Sequence, residues 1–172
     1  MKKTMILFNG PPGAGKTTLA HAIWKKIPRS AILSLDEVKW LVSDYKSNNF
    51  DLTLASKVGL AMSEVYLKNK INVIIEKAFC DYQYVDAFVK LAKKSKARLL
   101  IYNLEAPLNI IKKRTKQRQV TNLRHNKPPL KQSKVLRLYN YYNKGKFDVT
   151  RTFDTSKLTQ RKIVNQILRD LK

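Results

Sequence analysis

A short glycine-rich stretch near the beginning of the chain constrains its fold more than any other feature. Residues 10–17 read Gly-Pro-Pro-Gly-Ala-Gly-Lys-Thr and fit the spacing G-x-x-x-x-G-K-[ST]. Glycines permit the backbone conformations that turn successive N–H groups inward, where they can surround the oxygens of a phosphate. The apolar run 5–8 before the motif and the amphipathic run 19–27 after it predict the strand, loop and helix that the motif requires. This setting disfavours the alternative, a turn that binds nothing.

Each residue type in the motif suits a nucleoside triphosphate. The loop backbone surrounds the phosphates, Lys16 reaches the β- and γ-phosphates, and the hydroxyl of Thr17 binds Mg²⁺. The helix that follows adds the partial positive charge of its amino end. We therefore expect a nucleoside triphosphate and Mg²⁺ as ligands, and the candidate nucleotide-binding residues of the loop are Gly10, Pro11, Pro12, Gly13, Ala14, Gly15, Lys16, Thr17 and Thr18.

Apolar runs alternate with amphipathic ones along the remaining chain. The run 71–75 is almost wholly apolar, which is typical of a strand buried on both faces of a parallel sheet. The pattern predicts an α/β fold within a single domain, residues 1–172, with a five-stranded, mostly parallel sheet, helices on both faces and right-handed crossovers. The predicted strands are residues 5–8, 31–35, 71–75, 99–104 and 148–153.

Several local features predict where helices and loops meet. Residues 119–132 have little apolar content and include two consecutive prolines, so we expect a mobile loop there. Side chains that can accept a hydrogen bond at a helix start are candidate caps. They are Asp51 or Thr53 for the helix that carries Leu54, Val58, Ala61 and Val65, then Asp81 and Thr159 for two later helices.

The formal net charge is +23, from 35 Lys and Arg against 12 Asp and Glu. Such a charge favours polyanionic partners, although a compositional bias towards lysine would give the same total. The distribution favours the first interpretation, because residues 106–147 contain twelve Lys or Arg and no acid. No run approaches the ~18 apolar residues of a membrane span, and the lone Cys80 suits a reducing compartment. We expect a cytoplasmic protein with no membrane partner; the sequence leaves the oligomeric state open.

Carboxylates follow the predicted strands. In open parallel sheets ligands bind at the carboxyl ends of the strands, and Asp36, Glu76, Glu105 and Asp154 hold these positions. Beside phosphates, a carboxylate can hold Mg²⁺, accept a proton from an attacking hydroxyl or bind the acceptor. The alternative for Asp36 is a helix N-cap, since aspartate is favoured there.

In this order and spacing the motifs resemble those of the small P-loop kinases of the polynucleotide kinase, chloramphenicol phosphotransferase and zeta-toxin type, which are AAA-type ATP-binding kinases. The resemblance implies a P-loop NTPase fold, similar to that of nucleoside kinases, with a basic lid at about residues 115–132. It also implies transfer of the ATP γ-phosphoryl group to a hydroxyl. Besides the loop, it rests on residues 34–39, 73–79, 104–108, 114–118 and 153–156.

The resemblance assigns roles to individual residues. Asp36 would be the general base, Lys16 would stabilise the transition state, and Lys39 would hold a phosphate of the acceptor. Arg114 would pack on the adenine and Arg118, four residues on and on the same helix face, would reach the transferring phosphoryl group. For Lys39 and the arginine pair, a solvated basic surface is the alternative.

Two further residues complete the implied site. Glu76 would lie beside Thr17 and either join the Mg²⁺ site or contact the acceptor, and Thr155 would contact ATP. Arg124 in the lid is a lesser candidate. For the acceptor, Lys39 and the basic lid favour a nucleic-acid 5′-hydroxyl. A small molecule or nucleotide sugar, as in toxin-like kinases, and a non-catalytic module that binds ATP and nucleic acid are the alternatives.

Overall fold

The computed structural model describes residues 3–46, 48–79, 82–121, 130–142 and 148–172, with the backbone only for residues 82 and 118–121. The described chain contains one sheet of five parallel strands in the order β2-β3-β1-β4-β5. This confirms the predicted α/β architecture. The strands are β1 (Thr4–Asn9), β2 (Ser30–Ser34), β3 (Asn72–Glu76), β4 (Arg98–Glu105) and β5 (Arg151–Asp154).

Helices cover both faces of the sheet, so alternate side chains of β1 pack into two different hydrophobic cores. Ile6 and Phe8 pack with side chains of α1 and α7, whereas Met5 and Leu7 pack with side chains of α4. Every residue of β1 is buried, as expected of the central strand of a parallel sheet. The helices are α1 (Lys16–Trp24), α2 (Leu35–Lys39), α3 (Asn49–Lys68), α4 (Tyr82–Lys94), α5 (Leu108–Thr121), α6 (Gln132–Tyr142) and α7 (Gln160–Asp170).

Several predicted boundaries are wrong. The predicted loop 119–132 is partly helical, because α5 continues to Thr121 and α6 begins at Gln132; residues 122–129 lie outside the described residues. The second strand ends at Ser34, and the fifth is confined to Arg151–Asp154, where it pairs with β4.

The cap of α3 is also not the predicted one. Asn48 accepts a hydrogen bond at 2.8 Å from the backbone N–H of Asp51, and the Asp51 carboxylate instead accepts one from the N–H of Lys46. Thr159 caps α7 as predicted, and Asp81 lies outside the described residues.

The helix α3 is present as predicted, but the apolar stripe predicted for it does not face the core. Leu54, Val58 and Val65 are exposed. Buried instead are mostly small residues, which let α3 approach the rest of the molecule closely. A Cβ atom added to Gly59 would lie 2.2 Å from Cδ2 of Leu35 on α2, so α2 packs directly against the backbone of α3 at this glycine.

Across the ranges given above, none of the helices is both long enough and apolar enough to cross a lipid bilayer.

Candidate functional site

Glycine is required at two points of the phosphate loop. Gly10 has φ +152° and a Cβ there would lie 2.4 Å from the carbonyl oxygen of Leu104 on β4. Gly13 has φ +80°, and its Cβ would meet the side chain of Thr115 on α5 at 3.0 Å. Both positive φ angles are ones that residues with side chains adopt rarely. The loop is therefore wedged between β4 and α5, and only glycine fits at these positions.

Lys16 lies inside the curve of this loop. Its Nζ donates to the carbonyl oxygens of Gly10 at 2.8 Å and Pro11 at 3.0 Å, and the residue is 8% exposed. Gly15, in a left-handed conformation, occupies the N-cap of α1 and supplies no side-chain cap. The loop thus places a cation beside the amino end of a helix, the combination that attracts phosphate.

Thr17 and Glu76 meet as predicted from the sequence. The Thr17 hydroxyl donates to Oε2 of Glu76 at 3.2 Å, and Glu76 is buried at the end of β3. A hydroxyl and a carboxylate are the hard oxygen ligands that Mg²⁺ prefers, so the pair fits this ion. In the described part of the chain no group of three or more His, Cys, Asp or Glu could hold a metal.

The order β2-β3-β1 places three strand ends side by side. The phosphate loop follows β1, Glu76 ends β3, and α2 with Asp36 follows β2. Ser34 pairs in register with Glu76, and Glu76 with Phe8. The carboxyl edge of the sheet therefore carries Lys16, Glu76 and Asp36 on neighbouring elements.

Asp36 lies in the first turn of α2 rather than directly after the second strand, which ends at Ser34. It does not cap that helix, because Ser34 is the N-cap and its side chain accepts from the N–H of Glu37. The alternative structural role considered for Asp36 is therefore wrong. Its carboxylate forms an ion pair with Lys39.

Lysines surround the Asp36 carboxylate. Crowding by protein atoms raises the pKa of Asp36, but the nearby charges of Lys39, Lys16 and Lys77 together lower it by more, so the pKa lies below its ordinary value. The side chain nevertheless remains 53% exposed, as expected for a group with dense surroundings and one side open to solvent. Asp36 is therefore ionised at neutral pH.

Two residues of this region were not predicted from the sequence. Lys77 is buried. Its Nζ donates to the Ser56 hydroxyl at 3.2 Å and lies 4.8 Å from the ring centroid of Tyr84. Asn9, at the end of β1, accepts from the N–H of Phe79 at 2.8 Å and donates to Asn103 at 3.1 Å. Their positions at or directly after a strand end were the available signal, but such a position does not indicate that a side chain is buried.

Arg114 connects the basic helix α5 to the end of β5. It donates to the hydroxyl of Thr155 at 2.9 Å and to the Thr155 carbonyl at 2.8 Å, with a longer bond to the Gly13 carbonyl at 3.4 Å. These bonds fix the plane of the guanidinium beside the phosphate loop. Arg118 lies one turn further along α5, but only its backbone belongs to the described part of the chain. The residues Arg124 and Cys80 lie wholly outside that part.

The two other strand-end carboxylates lie together. Glu105 and Asp154 line a cavity of about 280 Å³ beside Pro11, with Tyr139 and Tyr142 of α6 on its wall. Asp154 accepts hydrogen bonds from the backbone and hydroxyl of Ser156. These two hydrogen bonds stabilise the turn that follows β5.

Replacing Gly59 with valine is expected to displace α2, because the new side chain would occupy the space of Leu35. Overpacking of this kind costs about 1–3 kcal/mol of unfolding free energy. A shift of about 1 Å at Asp36 would lower any turnover that depends on it by up to about 10²-fold. Thermal unfolding and initial rates measure the two effects. Adding Leu35→Ala to Gly59→Val should restore part of both, and no restoration would show that the contact does not position α2.

Comparisons with known proteins identify the family and the fold of the chain. The family model described as AAA domain matches residues 5–139. A search of curated proteins found no match.

Solved structures match over nearly the whole chain. A Chloroflexus aurantiacus protein named as a candidate kinase has a TM-score of 0.78 at 19% identity and covers 100% of both chains. The APS kinase CysC of Mycobacterium tuberculosis, solved with AMPPNP and APS, has a TM-score of 0.72 at 12% identity, covering 99% of this chain and 98% of that one.

A third match comes from a larger assembly. A chain of the Pnkp1/Rnl/Hen1 RNA repair complex has a TM-score of 0.69 at 21% identity, over 86% of this chain and 47% of that one. At such identities the structural likeness establishes the fold, and the family model, which spans most of the sequence, establishes the family. The chain therefore belongs to the AAA_33 family of AAA domains and has the fold of the P-loop kinases.

Proposed function

We propose that this protein is an ATP- and Mg²⁺-dependent kinase that transfers the γ-phosphoryl group of ATP to a hydroxyl group. The observation that carries the proposal is the position of an ionised carboxylate, Asp36, beside a complete phosphate loop and within electrostatic reach of Lys16. A protein that only senses ATP has no need of a carboxylate beside its phosphate loop, whereas transfer to a hydroxyl needs a group that accepts the proton.

The donor half of the site consists of the loop, residues 10–18, with Arg114 and Thr155 at its side. Lys16 would exchange its two carbonyl partners for the β- and γ-phosphate oxygens. Thr17 and Glu76 would hold Mg²⁺, which neutralises phosphate charge when it is bound. Arg114, fixed by Thr155, presents a rigid plane on which the adenine can stack. We assign Arg118 to the transferring phosphoryl group.

The acceptor half centres on Asp36. A carboxylate with a lowered pKa is a weak base, but a loose transition state for phosphoryl transfer makes little demand on early proton removal. Asp36 would therefore orient the hydroxyl by accepting its hydrogen bond and take the proton late. The side chain of Lys39 is only 15% exposed and pairs with Asp36. A lysine ammonium group has three N–H donors, so the donors that Asp36 does not use can hold an anionic group of the acceptor.

The lysines around Asp36 favour an acceptor with negative charge near its hydroxyl. A nucleic-acid 5′-hydroxyl, which has a phosphate one nucleotide away, meets this condition and agrees with the charge of +23. One matched structure belongs to an RNA repair complex and another is an APS kinase. Because these two proteins differ in what they act on, the fold alone does not select the acceptor.

Incubation with labelled ATP and Mg²⁺ tests the proposal, with a panel of 5′-hydroxyl oligonucleotides, nucleosides and small alcohols including sugars and nucleotide sugars. We expect label on at least one acceptor and none when Mg²⁺ is chelated. ATP binding without consumption across the panel would favour a non-catalytic module instead. If oligonucleotides are the acceptors, KM should rise steeply between low and high salt, whereas a flat response with turnover on a small alcohol would contradict the nucleic-acid version.

A further inference from the structure

An exposed tryptophan ends the short helix that carries the candidate base. Trp40 is the C-cap residue of α2 and follows Asp36 by four residues and Lys39 by one. Residues four apart on a helix are neighbours on its surface. Trp40 therefore follows Asp36 on the same side of α2, the helix that carries the acceptor half of the proposed site.

The Trp40 ring is held in place and yet remains open to solvent. Its centroid lies 5.3 Å from that of Tyr45, with the rings at 62° to one another in an edge-to-face arrangement. The residue is still 40% exposed. A large aromatic side chain that is ordered by a neighbour but not covered by it presents a flat apolar surface, which favours a planar partner.

The charge around this ring differs from that of the whole chain. Between residues 36 and 51 there are four carboxylates, Asp36, Glu37, Asp44 and Asp51, against two lysines, Lys39 and Lys46. The segment is net negative in a chain of charge +23. Asp36 is paired with Lys39 and Asp44 with Lys46, so the segment adds no excess positive charge of its own and offers a ligand mainly the flat face of the ring.

We propose that Trp40 is a binding platform for a planar ring of the acceptor, so that the acceptor is a nucleoside unit or a similar ring-bearing alcohol. The proposal rests on the kinase function proposed above and deepens it: the hydroxyl lies at Asp36, an anionic group at Lys39, and the ring on Trp40. A nucleoside unit can come from a free nucleoside or from the terminus of a polynucleotide, since stacking on an aromatic side chain is the same in both.

Fluorescence provides a test that does not depend on turnover. The chain has two tryptophans, so Trp24→Phe leaves Trp40 as the only source of tryptophan emission when excitation is selective for tryptophan. With the donor site filled by a non-hydrolysable ATP analogue, adenosine should quench the Trp40 emission in a saturable way, and ribose should not. Equal binding of ribose and adenosine would overturn the proposal.

Substitution of the platform supplies the second test. Trp40→Ala should weaken adenosine binding, measured by equilibrium dialysis, by about 5- to 150-fold, the range that base–aromatic stacking supplies, and Trp40→Phe should retain most of it. Trp24→Ala is the matched control, because Trp24 is 43% exposed and lies on α1, where its ring contacts His21; it should leave adenosine binding unchanged. Unchanged binding in Trp40→Ala would overturn the proposal.

The remaining outcomes separate this inference from the kinase function. Trp40-dependent binding of adenosine without phosphorylation of any acceptor supports the platform and contradicts the kinase. Phosphorylation of a ringless alcohol with the same KM in Trp40→Ala supports the kinase and overturns the platform. A change of mass in sedimentation on Trp40→Ala, with adenosine binding unchanged, would assign this surface to self-association and overturn the proposal. Tighter binding of a 5′-hydroxyl oligonucleotide than of adenosine would identify a polynucleotide terminus as the acceptor. Weaker binding of the oligonucleotide would identify a free nucleoside. Both results support the binding of a planar ring by Trp40.

Discussion

Replacement of Asp36 by asparagine is expected to lower kcat by about 10²- to 10⁴-fold, the usual contribution of a positioned general acid or base. The amide keeps the size of the side chain but carries no charge and is a poor proton acceptor. It also releases Lys39 from its ion pair with Asp36. Since the phosphate loop does not use Asp36, the Kd for ATP should change little. Initial rates and an ATP-binding titration on the same preparation measure both quantities.

Glu37→Gln is the matched control for this experiment. Glu37 is the next residue of the same helix, is exposed and carries the same charge, so it reproduces the electrostatic change without touching the proposed base. We expect nearly normal kcat for it. If Asp36→Asn retains full turnover, Asp36 is not the base; equal losses in both variants would point to a general charge effect of α2.

Lys16→Met is expected to affect the donor half instead. Methionine keeps much of the length of the lysine side chain but removes the charge from inside the loop, where Lys16 contacts the carbonyls of Gly10 and Pro11. Loss of one preorganised group that stabilises charge in the transition state costs about 10²- to 10³-fold in kcat, and the Kd for ATP should also rise. This joint effect on binding and turnover distinguishes Lys16 from Asp36.

The control for Lys16→Met is Lys26→Met, which removes an exposed lysine just beyond the carboxyl end of α1. It lowers the net charge by the same amount and should leave both kcat and Kd unchanged. Normal ATP binding in Lys16→Met would argue against the phosphate loop as the donor site. A melting curve for each variant shows whether the fold is preserved.

The sequence predicted the sheet and the donor loop well because both depend on local patterns. The apolar runs of β1, β3 and β4 are strong signals, and the glycines at positions 10, 13 and 15 have few other uses at that spacing. Position alone placed Glu76 at the edge where the ends of neighbouring parallel strands meet, and the resemblance to P-loop kinases supplied its contact with Thr17.

The sequence was least informative where tertiary packing decides. The apolar residues of α3 predicted the helix but not which side is buried, because Gly59 and other small residues face the core there. The cap of α2 went to Ser34, a residue that the pattern had placed within the second strand. Lys77 was missed since a lysine after a strand gives no sign that it is buried beside Asp36.

Because Gly59 packs closely against Leu35, the donor half and the acceptor half of the proposed site rest on different elements of the fold. The phosphate loop is built between β1, β4 and α5, whereas the helix with Asp36 packs on α3 at Gly59, which has no side chain. A change of a single methyl group on α3 could therefore tilt the acceptor helix while the machinery for ATP stays as it is. A scaffold of this kind can acquire a new substrate by small steps without first losing its chemistry, which makes α3 the place where directed evolution of the acceptor should begin.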